Sequence, residues 1–210
     1  MFSQLGASSS TLWRRTLKGL RRVENIRAEM TLGINTRGIL ETDIPDAQIY
    51  GTVDYPHVRS VLAALALTPS DVFIDVGCGR GRVLCCAALQ DCAAVVGVEL
   101  SPELCAEARI NGQKLRGRRT SIEVYQVAAQ DFDYRGATAL YFFNPFGAAT
   151  LDLVLDKIRA DTSGAPIRMA FVNIAEHTER VFNNHSWLAL QEFWPAWKLG
   201  GMPVAFYNRA

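Results

Sequence analysis

The 210-residue chain is long enough for one ordinary α/β domain and too short for two full ones. Its 49% apolar and 20% charged residues lie in the globular range, which excludes a disordered or fibrous chain. The net charge of +1 is uninformative as a sum, and the lack of any apolar run near the ~18 residues that cross a bilayer reads as a soluble protein without a membrane span, expected in the cytoplasm.

The first predicted element is a helix over residues 8–27, where Leu12, Trp13, Leu17, Leu20, Val23 and Ile26 recur at helical spacing and suit packing on the domain. The same stretch has the Ser, Leu and Arg content of a transit peptide, while the arginines that interrupt it exclude a secretory signal. Basic residues gather here (Arg14, Arg15, Lys18, Arg21, Arg22, Arg27 and Arg37 against Glu24 and Glu29) and again at Arg109, Lys114, Arg116, Arg118 and Arg119. They read as solvated helix faces, with docking of phosphates or an acidic partner as the alternative. Residues 31–55, broken by Gly33, Gly38, Pro45 and Gly51, form a loop or lid. Residues 1–56 are thus expected as a basic helix and lid ahead of a domain at 57–210.

Residues 57–67 read as a helix with Val58, Val61, Leu62 and Leu65 on one face. The apolar run 72–76 ahead of glycines suits a buried parallel strand, followed by a helix at 81–90 and a strand at 94–99. Ser101 can cap the next helix and Pro102 suits its first position, with the helix running to about Leu115. Strands at 122–128 and 137–143, a helix at 148–159 and a strand at 167–174 continue the alternation. The chain then departs from it: 188–194 and 204–207 read as two strands joined by a tight turn at Gly200-Gly201. The predicted fold is α/β: a doubly wound, mostly parallel sheet covered on both faces in three layers, with an antiparallel C-terminal strand.

The chemistry concentrates at Asp75-Val-Gly77-Cys78-Gly79-Arg-Gly81, between the first strand and its helix. Glycines there let backbone amides approach a ligand closely, which by itself is a weak signal. Glu99 ends the next strand, 22 positions after Gly77, where a carboxylate can accept from both hydroxyls of a ribose. Together they point to a nucleoside. The pattern is G-x-G-x-G rather than the dinucleotide G-x-G-x-x-G, and no Lys-Ser or Lys-Thr of a phosphate-binding loop follows. From Val72 to Phe146 the sequence resembles the class I (Rossmann-like, seven-strand) methyltransferases that use S-adenosylmethionine (SAM).

That resemblance implies seven strands with the last antiparallel, SAM as methyl donor with S-adenosylhomocysteine as product, and no metal. It places Gly77, Cys78, Gly79 and Gly81 at the methionine portion, Asp75 at its amino group and Glu99 at the ribose, with neighbouring Leu100 also on the cofactor. Asp131 takes the adenine amino group, and Tyr50 or Tyr55 of the lid closes on the cofactor. Asn144, Pro145 and Phe146 are similar to the Asn-Pro-Pro-Tyr segment of enzymes that methylate nitrogen, and resemble loosely the Asn-containing segment of seven-strand lysine methyltransferases. Phe146 stands where that motif has a second Pro. In such sites the Asn side chain and the next carbonyl hold the target nitrogen, with the aromatic ring packed on the acceptor; a strand-ending turn is the plainer reading.

An oxygen acceptor would instead call for a base such as His57 or His177. Five cysteines, none in a Cys-x-x-Cys pair, read as core residues rather than a zinc site. The acceptor is left open between a protein amine, a small molecule and a nucleic acid, although no RNA-binding module is recognisable. An inert SAM-binding regulatory protein is the alternative from another class.

Overall fold

The computed structural model describes residues 5–38, 51–196, 198 and 202–210, with backbone alone for 5–18. In chain order, α1 (Leu5–Leu32) and α2 (Tyr55–Leu65) precede β1 (Val72–Val76), α3 (Arg82–Ala87), β2 (Ala94–Glu99), α4 (Pro102–Lys114) and β3 (Ile122–Gln126). A 3₁₀ turn (Ala129–Asp131) leads to β4 (Ala139–Phe143), α5 (Ala148–Asp161), β5 (Arg168–Val172), α6 (Glu176–Asn184), β6 (Leu188–Trp194) and β7 (Val204–Arg209).

The seven strands form one sheet in the order β3-β2-β1-β4-β5-β7-β6, and β7 alone runs against its neighbours. The expected C-terminal pair therefore makes one edge, but its antiparallel member lies one place in, with β6 outermost. The link between them runs over 195–203, and the predicted Gly200-Gly201 turn lies outside the described residues.

Strand alternation divides the core. Ala139 and Tyr141 of β4 join Phe73 and the buried faces of α2 and α3. Leu140 and Phe142 join Leu151, Val154 and Phe171 under α5 and α6. On that second face Phe142, Phe171, Phe182 and Tyr207 form a column with ring centroids 5.7, 5.2 and 4.2 Å apart, the outer two pairs stacked and the middle one edge-to-face. Each such buried ring contributes about 1.5–3 kcal/mol of burial free energy.

Two elements differ from the sequence reading. Helix α6 was not predicted, because it buries only Thr178, Val181 and Phe182. Its first turn is closed by Thr178 Oγ1, which accepts from the Ala175 N–H at 2.9 Å. Past its end Trp187 Nε1 donates to His185 Nδ1 (3.1 Å), so the His185 Nε2–H donates to Asp152 Oδ1 of α5 (2.9 Å).

Helix α1 extends beyond the predicted 8–27 and stops at Gly33, whose φ of +74° and N–H to Glu29 O (2.8 Å) form a C-terminal cap. The predicted packing face is corrected at two of its six residues: Leu20 is 62% and Val23 55% exposed, while Ile26 is half-buried. Ala28, Glu29 and Leu32 of the last turns are the buried positions, because there the helix meets the residues that follow Gly33 and the start of α4's exit loop. Leu12, Trp13 and Leu17 lie outside the described side chains.

Among the described residues no helix is long and apolar enough to cross a membrane.

Candidate functional site

The sheet order reverses between β1 and β4, and ligands of doubly wound sheets sit beyond the carboxyl ends of the strands at that point. The loop after β1 is shaped for it. Gly77, Gly79 and Gly81 have φ of +77°, +53° and +80°, and the N–H groups of Gly77 and Cys78 donate to Val98 O at 2.8 and 3.1 Å, folding the turn over β2. A Cβ on Gly77 would lie 2.5 Å from Pro145 Cβ, so the loops after β1 and β4 touch across the switch point.

Glu99 binds this loop internally. Its Oε2 accepts from Gly79 N, and its Oε1 from Leu100 N and Ser101 N, each at 2.9 Å. An ionised carboxylate has about four acceptor positions, so one is left for a ribose hydroxyl. Leu100 beside it is 44% exposed, and Asp131 is exposed on the 3₁₀ turn after β3. These three residues flank the glycine turn on its β2–β3 side.

On the other side a pocket of about 330 Å³, counted with its open mouth, is lined by Gly51, Thr52 and Val53 and by Asp75, Gly77, Cys78, Arg82, Val83, Tyr141 and Phe143. Asp75 is buried, and among the described residues its Oδ2 has no hydrogen-bond partner. Burial, and secondarily the Glu99 charge, push its carboxyl well above the usual range. Tyr141 OH, on the neighbouring strand, is also buried without a described partner, and burial pushes it up as well. Leaving such groups unsatisfied costs about 1–3 kcal/mol each, more for a charge, so they mark a place built for polar ligand atoms.

Asp75 makes stability depend on pH. A folded-state pKa raised above the unfolded value contributes stability below about pH 4, lost as the pH climbs through the raised value. Thermal melts of ligand-free protein should show that decline, and Asp75→Asn should flatten it. An unchanged slope in the variant would assign the decline to other groups.

The pocket's remaining wall comes from a buried network that the sequence reading missed. Arg82 donates from Nε to Thr36 Oγ1 (2.7 Å), from one terminal nitrogen to Val53 O (2.8 Å), and from the other to Glu29 Oε1 (3.1 Å). Glu29 also accepts from Thr36 N and Oγ1 (3.0 and 2.8 Å) and pairs with Arg37 (2.6 Å). On α4, Asn111 clasps Asn35 in both directions at 3.0 Å and donates to Arg80 O at 2.9 Å. The chain after α1 is thereby welded to the glycine turn. An arginine just past a glycine motif and a glutamate in a helix of basic residues were the available signals, but nothing in the sequence pairs them.

Several expected contacts change. Tyr55 is 0% exposed, its ring lies under the Arg82 guanidinium at 4.5 Å, and its OH meets Thr36 Oγ1 at 3.4 Å. It is a core residue, with its phenol pushed up to about 12 by burial, and does not line the pocket; Gly51, Thr52 and Val53 hold that wall instead. Tyr50 lies outside the described residues. Phe146, 8% exposed, points into the core under α5, so the aromatic wall expected from it is supplied by Phe143. Asn144 stands at the end of β4 with φ +38°, uncommon for a residue with a side chain, and its buried Oδ1 has no described partner.

His57 is buried on α2 and His177 exposed on α6, and neither lines the pocket. All five cysteines are free thiols, and among the described residues no group of three or more His, Cys, Asp or Glu is placed to hold a metal.

Comparison with known proteins gives three findings. The family described as "Histone methylation protein DOT1" matches residues 43–138. The "Histone-lysine N-methyltransferase, H3 lysine-79 specific" of Dictyostelium discoideum is 28% identical over 122 residues, which is 56% of this chain and 7% of that protein's length. The fold is shared with solved methyltransferases at low identity. The RNA methyltransferase of Salinibacter ruber, in complex with S-adenosylhomocysteine, is 21% identical with a TM-score of 0.58, covering 76% of this chain and 94% of its own. The ribosomal protein L11 methylase of Lactobacillus delbrueckii subsp. bulgaricus is 15% identical with a TM-score of 0.61, over 76% and 80% of the two chains. The magnesium protoporphyrin IX methyltransferase of Synechocystis PCC 6803, with bound SAM, is 14% identical with a TM-score of 0.57, over 77% and 86%.

Proposed function

We propose that this chain, a class I (Rossmann-like, seven-strand) SAM-dependent methyltransferase, methylates an amine nitrogen of a protein side chain, with lysine as the residue class. The observation that carries the acceptor is Asn144: a buried carboxamide oxygen without a described partner, in a left-handed conformation at the carboxyl end of β4 beside the pocket. A relative whose name specifies histone lysine supports the same class.

The described residues fit SAM. Asp75 offers a buried carboxylate to an ammonium, the glycine turn offers close backbone, and Glu99 keeps an acceptor position for the ribose, with Leu100 and Asp131 on the adenine side. Bound there, SAM supplies a methyl group activated on a sulfonium centre.

The protein's own task is then positioning. Methyl transfer is an in-line displacement, and holding the nucleophile about 3–3.5 Å from the carbon supplies much of the rate. Asn144 Oδ1 and the Pro145 carbonyl accept N–H hydrogens of the amine and turn its lone pair toward the pocket. Phe143 packs beside the acceptor and excludes water. We place the catalytic domain at 57–210 and treat 1–56 as its lid half, held by the Glu29–Arg82 pair.

The test is transfer from methyl-labelled SAM into a cell lysate fractionated into protein, RNA and small molecules, with purified core histones as a parallel probe. Label in the protein fraction is the expected result. Label confined to RNA or to small molecules would overturn the acceptor assignment, and SAM binding without transfer to any fraction would favour a regulatory SAM-binding protein.

A further inference from the structure

We infer that Tyr141 is a cofactor-positioning residue whose hydroxyl, together with the Asp75 carboxylate, receives the ammonium group at the methionine end of SAM. The inference rests on the SAM-site reading above and adds to the glycine turn a residue from a different strand.

Asp75 and Tyr141 are direct partners in the parallel register of β1 and β4. Side chains alternate along a strand, so both leave the sheet on the face that α2 and α3 cover, with Phe73 and Ala139. Both line the same pocket, and among the described residues neither Asp75 Oδ2 nor Tyr141 OH has a hydrogen-bond partner although both are buried.

Two orphaned polar atoms on adjacent strands, aimed into one pocket, call for a ligand that brings several donors at once. An ammonium brings three N–H groups: the carboxylate takes one with its charge, and the phenol oxygen accepts another. The N–H groups of the glycine turn cannot serve an ammonium, because they are donors; Asp75 and Tyr141 add side-chain acceptors to those that backbone carbonyls can offer.

The experiment compares wild type with Tyr141→Phe by calorimetric titration of two probes: SAM, and 5′-methylthioadenosine, which keeps the nucleoside and lacks the amino-acid end. Tyr141→Phe should bind SAM about tenfold more weakly, the size of one hydrogen bond to a charged group, and bind 5′-methylthioadenosine like wild type. Its ligand-free melting temperature should be equal or higher, because the substitution deletes a buried hydroxyl that has no partner among the described residues. Equal SAM affinity in the two proteins, a parallel loss for both probes, or a lower melting temperature would each overturn the assignment. A wild type that binds neither probe would instead overturn the SAM-site reading, and the role of Tyr141 with it.

Discussion

Asn144→Gly is expected to slow methyl transfer by about 100-fold or more with SAM affinity unchanged, because it removes the acceptor's hydrogen-bond partner and little else. Glycine is the informative replacement. Asn144 has φ +38°, and an alanine there would add backbone strain on the order of 1–2 kcal/mol that could displace Pro145. Pro145 packs so closely on Gly77 that movement of the β4 loop would be felt in the cofactor turn. With glycine the backbone keeps its conformation and only the carboxamide is lost. The buried Oδ1 has no other described partner whose loss would confuse the reading. The kinetic signature is a fall in kcat and in kcat/KM for the acceptor, with calorimetric SAM binding as in wild type. Full activity in this variant would remove the case for a positioned nitrogen.

Glu29→Ala is expected to destabilise the protein by about 3–5 kcal/mol, since it leaves Arg82 as an uncompensated buried charge. Glu29 and Arg82 are both buried, their contact is 3.1 Å, and Glu29 Oε1 also accepts twice from Thr36. For a chain of this size the loss corresponds to a fall in melting temperature of roughly 6–20 °C. Arg82 also holds Val53 O, and Val53 lines the pocket, so SAM affinity should fall in the same variant. The double replacement Glu29→Leu with Arg82→Met separates the two effects. An apolar pair of similar volume should recover most of the stability, as buried ion pairs often do, while the strut to Val53 and the SAM affinity stay lost. Recovery of both would mean that the network only packs the core.

These two sites differ in how far the sequence disclosed them. The sheet was readable because buried parallel strands are continuous apolar runs between glycine and proline breaks, and the cofactor turn because its glycines and Glu99 lie within one β-α-β unit. Helix α6 escaped because its buried side is three residues wide. The exposure of Leu20 and Val23 escaped because helical spacing identifies a face but not whether anything covers it. Tyr55 and Phe146 were assigned to ligands from their position next to motifs, and burial overrides position: both rings point into the core. Tyr141 escaped for the opposite reason. A tyrosine in an apolar strand reads as packing until its hydroxyl is seen, with Asp75, to lack a partner among the described residues. The Glu29–Arg82 pair joins residues 53 positions apart, a separation that no local pattern records.

The central claim, a methyl group placed on a protein amine, is tested most directly by the chemical identity of the methylated atom. Core histones or the labelled lysate protein would be incubated with the enzyme and methyl-labelled SAM, hydrolysed completely in acid, and the amino acids separated. Label in methylated lysine that resists prior treatment with mild base, and that is lost with Asn144→Gly, is the predicted result. Label released by the base as methanol, the mark of a carboxyl ester, or label in methylated lysine that survives Asn144→Gly undiminished, would contradict it.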